Sequence, residues 1–260
     1  MIKKNGKVVK VFTNFDGFVD LKNGDFYKMK KQSKAFGCAG ESNHHGNGGQ
    51  HIGRDQKMII MPSNNTGFEA GKMFGKYPNR LAHLHSCERL FEPKIGIPWA
   101  LDNGVFGAFS SGREWSEEPF YSFLDAFVSW KPMWVVVPDS VGNKNKTLEM
   151  WHHHLPSLKA FNVPLAFAVQ DGMTPDDVPN EANIIFVGGS TSWKWKTLSV
   201  WTTNFPRVHV GRVNSSRLLA IAEENGAESC DGTGWFRDPK RTQELEDYLN
   251  STNHQSVLCL

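Results

Sequence analysis

The sequence predicts an α/β protein built as a parallel (β/α)8 TIM barrel, and three observations lead there. From Met58 onward, short apolar runs alternate with stretches of helical periodicity. The runs end in acidic or glycine-rich residues: ALDNG at Asp102, VVVPDS at Asp139, FAVQDG at Gln170 and Asp171, IIFVGG at Gly188 and Gly189, VHVGR at Gly211, SCDGT at Asp231. The length, 260 residues, matches the roughly 250 that one such barrel needs. An open doubly wound sheet shares the alternation but collects its ligand residues at one switch point, whereas here nearly every strand end carries one.

Two segments are expected, residues 1–56 and residues 57–260. Residues 7–31 alternate apolar and polar side chains around Asn23-Gly24, a type I′ turn signal, and Asp16-Gly17, which predicts a small β-meander carrying its lysines outward. Residues 35–56 hold six glycines and almost no apolar periodicity, the pattern of a long mobile loop. In the second segment MIIMPS is the first strand, FEAGKMFG a helix and RLAHLHS a second short apolar element. WALDNG follows, then EEPFYSFLDAFVSW, whose Phe120, Phe123, Leu124, Phe127 and Val128 fall at helical spacing. The alternation continues through MWVVVPD, a helix over 145–160, PLAFAVQD, a short connection at 175–179, NIIFVGG, a helix over 193–202, RVHVGRV, a helix over 215–226, SCDGTG and a helix over 240–250. That makes seven or eight strands.

Apolar residues at 39% are enough for a core, and 18 Phe with 9 Trp must be packed, stacked on a ligand, or both. A net charge of +2 excludes a strongly basic body, yet residues 1–35 hold nine lysines against three aspartates. The amino-terminal segment is a cationic patch on a nearly neutral protein, which suits a polyanionic partner. Cys38, Cys87, Cys230 and Cys259 are widely separated and no signal-peptide pattern opens the sequence, so a cytoplasmic protein without disulfides is expected. No apolar run reaches the roughly 18 residues of a membrane span.

In a barrel the carboxyl ends of all strands face one mouth, so Asp102, Asp139, Asp171 and Asp231 are expected to converge despite their separation in sequence. Clustered carboxylates push one another's pKa values apart, so that one stays ionised beside an electron-poor sugar carbon while another holds a proton. Each of the four also has the simpler reading of a cap on the helix that follows. Gly188, Gly189 and Gly211 either permit tight turns or let a flat ligand approach bare backbone. Phe106 either joins the core or stacks on that ligand.

Ser192-Trp193-Lys194-Trp195-Lys196 interleaves aromatic and cationic side chains, which suits stacking on unpaired bases with lysines on phosphates, or a helix start with its tryptophans in the barrel shell. Arg212, Asn214, Arg217 and Arg237 lie near strand ends, where they hold phosphates or are simply solvated. His83, His85 and Cys87, the loop histidines His44, His45 and His51, and the run His152 to His154 lack the paired CxxC or HExxH geometry, so no metal and no cofactor are expected. Three consecutive histidines on a helix point in different directions and form no common ligand face.

From Pro98 to Arg237 the order of these motifs resembles that of the tRNA-guanine transglycosylase superfamily, most closely its short DNA-acting phage and bacterial relatives. LDNGVF is similar to the family's DSGGF-type segment, which implies acid/base chemistry for Asp102 and stacking on a base for Phe106. PDSVG resembles the segment whose aspartate reads a purine edge, implying that role for Asp139. AVQDG resembles VQGG and implies a base contact for Gln170, with Asp171 in place of a glycine. FVGGS implies that Gly188 and Gly189 present backbone to the base, and VHVGRV that Val210 and Gly211 pack on its opposite face. SCDGTG resembles the segment bearing the nucleophile, implying that Asp231 attacks the anomeric carbon. Unlike the tRNA enzymes, the sequence after Asp231 has no cysteine and histidine zinc site. The lysine-rich segment, residues 1–56, has no counterpart and is expected to grip DNA.

The resemblance therefore implies an enzyme that flips a base, modified in the expected case, out of DNA and cleaves its N-glycosidic bond. Trp193, Lys194, Trp195, Lys196, Arg212, Asn214, Arg217 and Arg237 would hold the strand. Attack by water gives glycosylase-type excision and an abasic site, which suits phage defence. Attack by a free 7-deazaguanine as co-substrate gives exchange for guanine, which suits a virus disguising its own DNA. The absence of a zinc or tRNA module and the polar Asp171 favour excision. A non-catalytic barrel that binds modified DNA is the reading from another class, and a sugar hydrolase is disfavoured by the lysine patch and the Trp-Lys alternation.

Overall fold

The computed structural model describes residues 57–63, 67–88 and 91–254, and in the amino-terminal segment the backbone of four short strands. The chain divides into two units, Met1–His51 and Ile52–Leu260. In the first, β1 (Ile2–Lys4) pairs antiparallel with β2 (Lys7–Val9), and β3 (Phe18–Val19) with β4 (Phe26–Tyr27). The second pair brackets Asn23-Gly24 as expected. The first departs from a single meander over 7–31: β2 pairs back onto β1 across Asn5-Gly6, another two-residue turn signal, and no ladder joins β2 to β3 among the described strands. The expected loop at 35–56 lies outside the described residues.

The second unit runs β5 (Ile59–Pro62), α1 (Phe68–Lys76), β6 (His83–Ser86), β7 (Trp99–Asp102), α2 (Val105–Ser110), α3 (Glu118–Phe127), β8 (Val135–Val136), α4 (Lys144–Lys159), β9 (Leu165–Val169), β10 (Ile184–Val187), α5 (Thr191–Asn204), β11 (Val208–Val210), α6 (Ser216–Glu224), β12 (Ser229–Gly232) and α7 (Pro239–His254). All eight strands are parallel, in the order β5-β12-β11-β10-β9-β8-β7-β6. The outer strands of this order meet through parallel bridges between Ile60 and Leu81 and between Ser63 and Leu84. Sequential neighbours and a joined seam are the topology of a barrel, and they exclude the doubly wound sheet, whose strand order reverses. Two connections are lean: no helix follows β6 among the described residues, and only a 3-10 turn, Pro175–Asp177, lies between β9 and β10.

Side chains alternate across the strands. Ile60, Leu101, Val135, Phe167, Ile185 and Val208 face outward onto Phe120, Trp151, Leu198, Trp201, Leu219 and Leu245 of the helices. Met61, Leu84, Val136 and Ile184 point inward with Trp134, which shares the interior with Ala82, Ala100, Ala166 and Ala168. The Trp134 ring among four small side chains, with Phe186 and His209 against it, fills the bore, so the barrel is solid below its mouth. At the end away from the mouth, buried Arg80 donates to Met58 O at 3.1 Å, Thr252 Oγ1 at 2.8 Å and Glu223 Oε1 at 3.2 Å. The Tyr248 hydroxyl donates to the same Glu223, so this network clamps β5, α6 and α7 together. No described helix is long and apolar enough to cross a membrane.

Candidate active site

The mouth is assembled from the residues that close each strand. After β7 the chain turns through Asp102-Asn103-Gly104, and Gly104 has φ +78°, with a Cβ there lying 2.9 Å from Cys87 Sγ. Only glycine suits both demands. The turn aims buried Asn103 across to the next strand: its Nδ2 donates to Val137 O at 3.0 Å and to Asp139 Oδ1 at 2.8 Å, while its Oδ1 accepts from Val105 N at 2.9 Å. Trp115 Nε1 fixes the same residue from outside, donating to Asn103 O at 2.8 Å.

Asp139, following β8, receives a second side-chain donor from β9. Gln170 Nε2 lies 2.6 Å from Asp139 Oδ2, and Gln170 Oε1 accepts from Gly142 N at 3.0 Å. Gln170 is buried and both ends of its amide are engaged. Its place is behind Asp139, which it orients, rather than in direct reach of a ligand.

Asp231 sits on β12 and is nearly buried. Its Oδ1 accepts from Arg212 N at 3.1 Å and from His209 Nε2 at 3.2 Å, and its Oδ2 from Ser63 Oγ at 3.4 Å. Gly211 makes room for this cluster, since a Cβ there would lie 3.0 Å from the Phe186 ring and 3.5 Å from Asp231 Oδ1.

The carboxylates sense one another. Burial, with the charges of Asp231 and Asp139 nearby, pushes Asp102 up to about 7, against the pull of the Gly104 and Asn103 backbone. Burial also raises Asp139, to about 6, opposed by the donors from Asn103 and Gln170. Near neutral pH Asp102 is divided between acid and base, and it retains some solvent contact at the mouth. A proton-carrying carboxyl beside a hydrogen-bonded carboxylate is equipment for breaking a bond that needs both a proton and an anion.

The other expected residues fall into three groups. Phe106 is 42% exposed at the rim, and the Arg212 guanidinium lies over its ring, 4.7 Å from the centroid. Arg212 also donates to Gly189 O, so it joins the rim from a left-handed backbone at φ 61°. Gly188 borders the same rim, half-buried, with its N bonded to Val169 O at 3.2 Å. Asn214 Oδ1 accepts from Gly234 N at 2.9 Å, tying the loops after β11 and β12 together. Arg217, Arg237 and Lys196 are exposed.

Five residues stand elsewhere than expected. Val210 has no exposed surface and faces the helix shell, so no base can rest on it; in three-residue β11 the inward side chain is His209. Lys194 is 1% exposed and donates to Gly211 O, because α5 turns this position onto β11; burial lowers its pKa to about 8. It is no surface cation, and Trp193 and Trp195 pack against the core. Asp171 takes Ser190 N at 2.6 Å and the Ser190 hydroxyl, a cap on the start of α5, so its carboxylate turns from the other three.

His83 and His85 lie in a buried aromatic row with Phe74 and Trp99, and burial holds their pKa values at about 3 and 4. They are core. Of the histidine run, ligand atoms of His153 and buried His154 come within 4.8 Å of one another and of a Glu117 oxygen, and His154 Nδ1 also meets the Tyr121 hydroxyl at 2.9 Å. Residues the sequence reading missed are Asn103, His209 and Ser63. The DNG turn would have exposed Asn103, whereas His209 is placed only by the ladder register of β11. Ser63 carries no local signal. Compared with known proteins, the chain matches no family model and no curated sequence.

Proposed function

We propose that this protein releases a base from DNA by breaking its N-glycosidic bond at the barrel mouth. The observation that carries the reading is the pairing of Asp102, poised near neutrality, with Asp231, whose carboxylate is held by three donors. The resemblance of the strand-end motifs to the tRNA-guanine transglycosylase superfamily supports the same assignment, and the exposed Arg217, Arg237 and the lysines of residues 1–35 suit a polyanion.

The target base leaves its stack to reach the mouth. Its flat face meets the Phe106 rim and its edge meets Asp139, which Gln170 and Asn103 hold in place. As the C1′–N bond breaks, its electron pair departs with the base and Asp102 supplies the proton. The Asp231 carboxylate meets the electron-poor C1′ as nucleophile or counter-charge. If water then bonds to C1′, its proton returns to Asp102 and the DNA is left abasic. If a second base bonds instead, its N–H proton goes to Asp102 and the result is exchange; in both branches a bond between Asp231 and C1′, where one has formed, breaks with its electron pair returning to the carboxylate. Asp171, engaged by Ser190, no longer favours one acceptor over the other.

The test is to incubate the protein with DNAs carrying ordinary, glycosylated and deazaguanine bases and to analyse released bases by mass spectrometry. Free base with abasic DNA identifies excision, and release only with an added base identifies exchange. Asp231→Asn is expected to keep salt-sensitive DNA binding and lose release. Binding without release by the unaltered protein from every DNA would leave a non-catalytic reader of modified DNA.

A further inference from the structure

We propose that His209 is a positioning residue: through its Nε2–H it anchors Oδ1 of Asp231 and leaves Oδ2 as the oxygen that faces the sugar. The inference rests on the reading of Asp231 as the group that meets C1′.

The hydrogen bonds hold the ring at both nitrogens. His209 has no exposed surface, its Nε2 lies 3.2 Å from Asp231 Oδ1 and its Nδ1 lies 2.8 Å from Ser229 Oγ. A carboxylate accepts, so the ring offers Nε2–H to Oδ1, while Nδ1 shares a hydrogen bond with the Ser229 hydroxyl, which can serve as donor or acceptor. Both ring nitrogens therefore have partners, and the Ser229 contact holds the ring from the side away from Asp231. The ring plane is set by Phe186, stacked at 4.7 Å, and by Trp134, edge-on at 4.8 Å.

The consequence is for Asp231. The terminal torsion of an aspartate is broad, so a carboxylate held at one point swivels. Here Oδ1 takes two donors from β11 and the residue pair after it, one from the His209 ring and one from the Arg212 backbone. Among the described residues Oδ2 takes only the long contact from Ser63, 3.4 Å. One oxygen is thus tethered by two donors, and the other, among the described residues, only by the long contact with Ser63. An oriented reacting atom is worth a great deal: misplacement by about 1 Å costs on the order of 10²-fold in rate.

Two substitutions in the full chain test this. His209→Phe keeps a ring between Phe186 and Trp134 but removes the donor; His209→Gln restores an N–H near Nε2. The expected result is kcat lowered about 10²-fold in His209→Phe with KM unchanged, and recovery to within about 10-fold in His209→Gln. A difference infrared spectrum, unaltered protein minus Asp231→Asn, reads the Asp231 carboxylate without turnover; its stretching bands should shift in His209→Phe and return in His209→Gln. Unshifted bands in His209→Phe would overturn the proposal. So would equal kcat losses in both variants accompanied by equal falls in melting temperature, which would mark the ring as structural. If Asp231→Asn itself still releases base, the reading of Asp231 fails, whereas an inactive Asp231→Asn beside a fully active His209→Phe removes His209 alone.

Discussion

The guanidinium of Arg212 lies 4.7 Å from the centre of the Phe106 ring and donates to the carbonyl of Gly189. A planar cation therefore spans the aromatic face and the glycine backbone that the sequence assigned to a flat base. Arg212→Ala should open that span. A cation over an aromatic face is worth about 0.5–2 kcal/mol, so free purine is expected to bind the variant about 2- to 30-fold more tightly. DNA affinity should fall instead, with the salt slope reduced by about one. Equilibrium binding of both ligands checks this, and unchanged purine affinity would show that the base sits elsewhere.

Asp102 makes stability depend on pH. Its folded pKa of about 7 stands above the ordinary carboxylate value of 3.8, so the folded state binds the proton more tightly than the unfolded chain. That contribution is full below pH 4 and is lost as pH rises through about 7, with Asp139 acting in the same direction up to about 6. Asp102→Asn lacks the penalty. Its gain in unfolding free energy should grow from near zero at pH 4 to a few kcal/mol at pH 8, followed by urea titration at each pH. Base release by the unaltered protein should decline through pH 7 as the acid form disappears.

Asp171 is expected to matter for α5 and not for the choice of acceptor. Asp171→Ala removes the partner of Ser190 N and should cost about 1 kcal/mol. The ratio of abasic to exchanged product should stay the same. A changed ratio would return Asp171 to the chemistry.

The Arg80 network predicts the largest loss of stability. Arg80→Ala leaves Glu223 partly buried and without its cation, and breaking a buried pair in this way costs about 3–5 kcal/mol. Arg80→Ala should lower the urea midpoint strongly, while the kinetics of any remaining folded protein stay unaltered because the network lies at the end away from the mouth.

The barrel was legible because acidic and glycine residues mark its strand ends and each run is short enough to be one strand. That geometry put Asp102, Asp139 and Asp231 at the mouth and Asp171 with them, and the contacts of Asp171 with Ser190 correct the last. The phase of β11 was not legible: a parallel strand is buried on both faces, so Val208, His209 and Val210 give no hydrophobic contrast, and ladder register alone turns His209 inward. Lys194 was misread for a related reason, since the Gly211 carbonyl that receives it belongs to another strand end. Gln170 was recognised as important, but only its contacts reveal that it serves Asp139.

The two edges of β5 are unequal. Four residue pairs in register join it to β12, while two isolated bridges join it to β6. The ring closes between β5 and β6, where Ile60 N donates to Arg80 O at 2.8 Å and Ala82 N to Ile60 O at 3.1 Å. Ser63 and Asp231 lie on the same side of that seam, coupled further by Ser63 N to Gly232 O at 3.1 Å. Ser63 therefore reaches the mouth as an extension of the β5–β12 ladder, and a one-residue slip of β5 against β12 would carry its hydroxyl away from Asp231.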